Sequence, residues 1–197
     1  MKLYVIRHGQ SEANLGGFHS GNIDVALTEE GERDAACAGR LLAGIPFDRV
    51  YASDFLRARQ TARIALPSAE IEVLPLIREI AVGRLEGKRF TECQAEYGES
   101  YTENRRRADF RPYGGESLGE MSLRSRAFIE MLRGLPASHV AAFSHAGFLS
   151  TLLSIAVGAD PMSRGMTVAE NGSVSVFEIT ENDFKLLSWS HTGKLPL

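Results

Sequence analysis

The chain has 197 residues, 44% of them hydrophobic and 24% charged, enough to bury one sizeable core as a single domain over residues 1–197 and short for two. A net charge of −3 and a pI near 6.0 exclude global attraction to nucleic acid or anionic membranes, so affinity for an anionic ligand has to come from locally placed arginines. Two cysteines, Cys37 and Cys93, exclude a disulfide framework or a four-cysteine zinc site and fit a reducing cytoplasm, and no apolar run approaches the ~18 residues of a membrane span.

Along the chain, short β-branched apolar runs read as strands and amphipathic stretches as helices. Residues 3–6 form the first strand. A helix then starts at Thr28 as N-cap, with Glu29 and Glu30 in its first turn, apolar Ala35, Ala38, Leu41 and Leu42 on one face, and Gly44 as its stop. Residues 49–52 are a second strand, 53–66 a helix halted by Pro67, and 71–74 a third strand. The polar stretch 88–115 is the least patterned. Ser117 and Glu120 then form a capping box ahead of an apolar face built from Leu118, Met121, Phe128, Met131, Leu132 and Leu135. Residues 140–144 are a fourth strand, followed by an apolar helix near Gly147. Strands 174–179 and 184–189, joined by a short acidic link, form an antiparallel hairpin at a sheet edge. The alternation predicts an α/β fold: a three-layer αβα sandwich around a mainly parallel, mixed six-stranded sheet.

Ligands of open α/β sheets bind beyond the carboxyl ends of the strands, and two histidines occupy such places. His8 follows the first strand after Arg7, and His145 follows the fourth. Arg57, early in the second helix, points toward the same rim. Fixed guanidinium groups match the equatorial oxygens of a phosphoryl group in transfer, so three strand ends deliver the groups that phosphoryl chemistry needs.

These residues carry a resemblance. The run Leu3-Tyr4-Val5-Ile6-Arg7-His8-Gly9-Gln10-Ser11-Glu12-Ala13-Asn14 resembles the opening signature of the histidine phosphatase superfamily, in its phosphoglycerate-mutase-like branch. The resemblance continues through Asp24, Leu27-Thr28, Gly31, Ser53 to Ala62, Arg78-Glu79, Gly83, Glu86-Gly87 and Gly115-Glu116-Ser117, and closes with Ser144-His145-Ala146-Gly147. It implies that His8 attacks phosphorus through Nε2, that Arg7, Arg57 and His145 clamp the phosphoryl oxygens with Asn14 as a further donor, and that Ser20 and Gly21 lie next to the phosphate. It also implies that Glu79 protonates the leaving oxygen and then takes a proton from water, with a pKa raised by burial. No cofactor and no metal is implied.

The expected activity is hydrolysis of phosphate monoesters of small metabolites, with alpha-ribazole and broad-specificity phosphatases as the similar types. The first alternative is a cofactor-dependent phosphoglycerate mutase, and the second is a catalytically inactive binding domain. The 36 residues between Glu79 and Glu116, and the short tail past the last strand, favour water access and hence hydrolysis. The expected partner is a small phosphorylated metabolite, not nucleic acid or a membrane, with a homodimer left open. Glu86 reads as a turn carboxylate, His19 as loop and His139 as a strand start, while Trp189 packs an edge strand. Arg105, Arg106 and Arg107 read as a solvated basic face, with an additional anion grip as the alternative.

Overall fold

The structure, a computed structural model, describes residues 1–164 and 167–193. Strands β1 (Lys2–Arg7), β2 (Arg49–Ala52), β3 (Ile71–Val73), β4 (His139–Ser144), β5 (Val174–Ile179) and β6 (Phe184–His191) form one sheet in the order β3-β2-β4-β1-β5-β6. β1 and β4 pair in parallel, as do β4 with β2 and β2 with β3. β5 runs antiparallel to β1 and makes the expected edge hairpin with β6. The mixed, mainly parallel α/β architecture is as the sequence predicts.

Alternate residues of the central strands face opposite layers, as the two-residue period of a strand requires. Leu3 and Val5 of β1, with Val140 and Ala142 of β4, pack under helices α4 (Phe90–Arg107), α5 (Leu118–Arg133) and α6 (Ala146–Ala156). Ile6, Ala141 and Phe143 face the other way, onto α2 (Glu29–Leu42) and α3 (Leu56–Ala65) through Ala38, Leu42, Ala62 and Ala65. Burial on both faces explains why these strands read as continuous apolar runs rather than alternating ones.

Three local outcomes differ from expectation. The helix expected from residue 53 begins at Leu56. Ser53 and Asp54 stay outside it because Asp54 is held by the guanidinium of Arg78, and Asp24 from a distant loop accepts from the Leu56 N–H, capping the helix from outside its own sequence. A short helix unmarked in the sequence, α1 (Glu12–Gly16), follows β1 through a capping box in which Ser11 accepts from the Asn14 N–H and Asn14 accepts from that of Ser11. The weakly patterned stretch holds the 18-residue α4, which is broken at Gly98, where φ is +60°, and buries only Cys93 and Tyr101. The predicted stop of α2 holds: the helix ends at Leu42 with Ala43 as C-cap, and Gly44 follows at φ +79°.

Candidate active site

The register of the two innermost strands places the two histidines side by side. Arg7 of β1 pairs with Ser144 of β4, so His8 and His145 each stand one residue beyond the last pair, and the His8 N–H donates to Ser144 O at 3.0 Å. Their ring centroids are 5.1 Å apart. His8 Nδ1 lies 2.7 Å from its neighbour's carbonyl, Gly9 O. A carbonyl only accepts, so Nδ1 carries the hydrogen and Nε2 presents its lone pair. Burial, followed by the charges of Arg57 and Arg7, holds the His8 pKa well below its ordinary value and keeps the ring neutral. Asn171 contributes a further tie, donating to His8 O at 3.0 Å.

The loop that carries His8 is locked against two helices. The Gly9 N–H donates to Thr61 Oγ1 at 3.1 Å, and Thr61 in turn donates to Arg57 O at 2.7 Å. Gly9 also meets Gly31, in the first turn of α2, so closely that a Cβ at Gly9 would lie 2.1 Å from Gly31 O.

Arg7 and Arg57 are both buried and positively charged. Arg7 Nη1 donates to Ala169 O at 2.5 Å. Arg57, the second residue of α3 and only 1% exposed, donates to Ile23 O at 3.1 Å and Gly21 O at 3.3 Å and lies over the Phe55 ring, 4.7 Å from its centroid. Each arginine keeps an Nε without a partner among the described residues. His145 is fully buried and has no hydrogen-bond partner at either ring nitrogen among the described residues. Its orientation comes instead from ring contacts, to His8 and to Phe55, whose centroid is 5.4 Å away. Buried polar atoms left open in this way are those an anionic ligand would satisfy.

Glu79 closes the site from the far side of β4. Ser144 Oγ donates to Ile77 O at 2.7 Å and anchors the turn just before Arg78 and Glu79. The carboxylate accepts from Ile80 N at 2.8 Å and from Gly147 N, at the start of α6, at 3.0 Å. Burial raises its pKa above the usual carboxylate range and outweighs those two N–H donors and the charges of Arg57 and Arg7.

Arg7, Asn14, Ser20, Gly21 and Glu79 of the expected set line a cavity of about 230 Å³, whose lining among the described residues does not include His8, Arg57 or His145. The expected residues thus come together. Asn14 reaches the cavity with its Oδ1 fixed by donors from Ser11 N at 3.0 Å and Asn171 Nδ2 at 3.2 Å. Glu86 is a turn carboxylate, accepting from Asn22 N and Nδ2.

The arginine run is exposed along its length, as read from the sequence, and its members differ in their contacts: Arg106 and Arg107 share Glu103, whereas Arg105 borders the cavity and lies over Phe90, 4.6 Å from the ring centroid. His19 also lines the cavity and is buried. Its Nε2 lies 2.7 Å from Tyr101 Oη, and burial plus the charge of Arg105 pull its pKa down to about 4. Phe55 and Asn171 join the site without any signal that sequence spacing could have supplied. His191 ends β6, paired with Val174, and is exposed.

Comparison with known proteins identifies the family. The family model of the histidine phosphatase superfamily (branch 1) matches residues 3–192. The adenosylcobalamin/alpha-ribazole phosphatase of Salmonella typhimurium is 32% identical over 188 residues, covering 92% of each chain. A 2,3-bisphosphoglycerate-dependent phosphoglycerate mutase 2 of Gloeobacter violaceus is 39% identical over 137 residues. That match covers 66% of this chain and 63% of the mutase, less than two thirds of its length. Among solved structures, the alpha-ribazole phosphatase of Shigella flexneri superposes with a TM-score of 0.85 at 26% identity, covering 100% of both chains. Among the described residues, no helix is long and apolar enough to cross a membrane.

Proposed function

We propose that this chain, which belongs to the histidine phosphatase superfamily, hydrolyses phosphate monoesters of small metabolites through a phosphohistidine on His8. The observation that carries this reading is the buried His8 ring, with Nδ1 tied to Gly9 O and Nε2 open beside Arg7, Arg57 and His145.

In the first step Nε2 attacks phosphorus and the bond to the leaving oxygen breaks, while the Glu79 proton passes to that oxygen. A buried carboxyl with a raised pKa is suited to hold that proton. In the second step the Glu79 carboxylate takes a proton from water, the water oxygen attacks phosphorus, and the P–N bond breaks to return its electron pair to Nε2. Arg7 and Arg57 face the equatorial oxygens with donors preorganised by backbone carbonyls, a contribution of about 3 kcal/mol per donor by analogy with other oxyanion sites. Metal is not needed in this scheme, because the guanidinium groups supply the positive charge.

The phosphatase relative, 32% identical and matched over nine tenths of both chains, supports hydrolysis, while a probable phosphoglycerate mutase of Erwinia tasmaniensis, 30% identical over a similar share, supports the mutase alternative. The mutase reading draws on the higher identity of the Gloeobacter protein over its shorter match. Turnover of p-nitrophenyl phosphate in the presence of a chelator, with a trapped acid-labile phosphoenzyme that disappears in His8→Ala, tests the first reading. Efficient isomerisation of 3-phosphoglycerate primed with 2,3-bisphosphoglycerate would favour the second.

A further inference from the structure

Glu79 lies in a stretch, residues 78–82, that forms neither helix nor strand, so the backbone groups there need partners from elsewhere in the fold. One ion pair supplies them on both sides of Glu79. Arg124, on α5, donates through Nη1 to Leu76 O at 2.8 Å and to Arg78 O at 3.3 Å. Its Nε and Nη2 make a bidentate contact with the Glu116 carboxylate at 3.0 and 2.9 Å. Glu116 Oε2 in turn accepts from Ala81 N at 3.0 Å, and the Glu116 N–H donates to Ala81 O at 2.8 Å. A Cβ at the neighbouring Gly115 would lie 2.3 Å from Ala81 O, so the two chain segments approach as closely as they do because that residue is glycine.

The peptide in between is the one that touches the acid. Ile80 N donates to the Glu79 carboxylate at 2.8 Å, and its peptide lies between the Arg78 carbonyl held by Arg124 and the Ala81 N–H held by Glu116. Peptide units are planar and leave two soft dihedrals per residue, so fixing the units on either side leaves that N–H little freedom to turn away. Arg124 and Glu116 do not themselves line the cavity, and their side chains are only 24% and 27% exposed. The contact uses the planar fork of a guanidinium, which the single ammonium of a lysine reproduces only in part.

We infer that Arg124 and Glu116 act as one unit of positioning residues for the general acid, holding the backbone on both sides of Glu79 so that its carboxyl meets the departing oxygen. This rests on the proposed role of Glu79 in hydrolysis and adds the device that fixes its place. A displacement of about 1 Å caused from outside the reacting groups costs on the order of a hundredfold in rate, and here the loss falls on substrates that need the proton.

The test measures kcat/KM for p-nitrophenyl phosphate, whose leaving group departs with little help, and for ethyl phosphate, whose leaving group needs the proton. Arg124→Met and Glu116→Ala are each expected to lose about tenfold or more on ethyl phosphate and about threefold or less on p-nitrophenyl phosphate. The double variant should be no worse than the worse single one, as for groups that act as a unit. Arg124→Lys and Glu116→Gln should recover part of the loss, and they carry the same comparison if the stronger variants do not fold. A pair that served stability alone would lower both activities together with the folded fraction. An unchanged ratio of the two activities in these variants, beside a selective loss in Glu79→Gln, therefore overturns the inference alone, whereas equal losses in Glu79→Gln remove the acid role and the inference with it. Amide hydrogen exchange at Ile80 and Gly147, the two donors to the carboxylate, reads its place without turnover. Faster exchange at both in Arg124→Met, in a protein that hydrolyses neither ester, would sink the hydrolase reading and leave the positioning role standing.

Discussion

The backbone N–H of Gly147 donates to Glu79 Oε1 at 3.0 Å, and a Cβ at residue 147 would lie 2.4 Å from that same oxygen. The helix that begins next to His145 therefore also sets the position of the carboxylate, and a glycine makes the approach possible. Gly147→Ala is expected to push Glu79 out of place without touching His8. Proton delivery matters most for poor leaving groups, so kcat/KM on an alkyl phosphate should fall about a hundredfold, and on p-nitrophenyl phosphate by much less. Equal losses on both substrates would argue against the acid role of Glu79.

With no hydrogen bond at either His145 nitrogen among the described residues, the ring depends on Phe55 and His8. Phe55 also supports Arg57 and Arg78, whose guanidinium carbons lie 4.7 and 5.2 Å from its centroid. Phe55→Leu keeps most of the apolar volume but removes the flat surface. We expect kcat to fall about tenfold at a stability cost of about 1 kcal/mol, read by steady-state kinetics beside urea unfolding. Unchanged kcat would show that His145 is oriented by something else.

Gly31 and Gln10 approach backbone to backbone: a Cβ on Gly31 would meet Gln10 O at 2.0 Å. No side chain can swing away to relieve that clash. Gly31→Ala should destabilise the fold by about 1–3 kcal/mol, measured as a lower urea midpoint, and should loosen the loop that carries His8.

Acid sensitivity follows from buried neutral imidazoles. His8 and His145 are held well below 6.5, and His19 is held at about 4, each chiefly by burial. A group whose folded pKa is depressed binds more protons when unfolded, so its stabilising contribution is complete above the unfolded value and is lost as pH falls through the window below it. For His19 that window runs from about 6.5 down to about 4. His19→Phe should therefore flatten the decline of Tm between these limits, as followed by thermal unfolding at fixed ionic strength. An unaltered slope would mean that His19 is protonated in the folded protein.

Legibility in the sequence tracked the range of the interaction responsible. The strands could be read because burial on both faces leaves continuous apolar runs, and β2 and β5 have the bounds expected from composition alone. α5 announced itself by a capping box made of residues three apart. The start of α3 did not, because its cap is Asp24, 32 residues away. α4 was obscure because it is largely solvated and broken at Gly98, so little apolar periodicity marks it. In the site, His8, His145 and Arg57 stood out by their places beyond strand ends, whereas the separate fate of Arg105 depends on which way one turn of helix faces. Three adjacent arginines look alike until Glu103 takes two of them.

The central position of β1 and β4 has a consequence for how activity fails. His8 and His145 extend from the two strands farthest from the sheet edges, so releasing them requires opening the fold close to globally, whereas Ser20, Gly21 and Arg105 sit on a loop and on a solvated helix. Amide hydrogens of β1 and β4 should exchange last and those around α4 early. Under mild denaturation the cavity wall carried by the loop and α4 is then expected to come apart before the His8–His145 pair does.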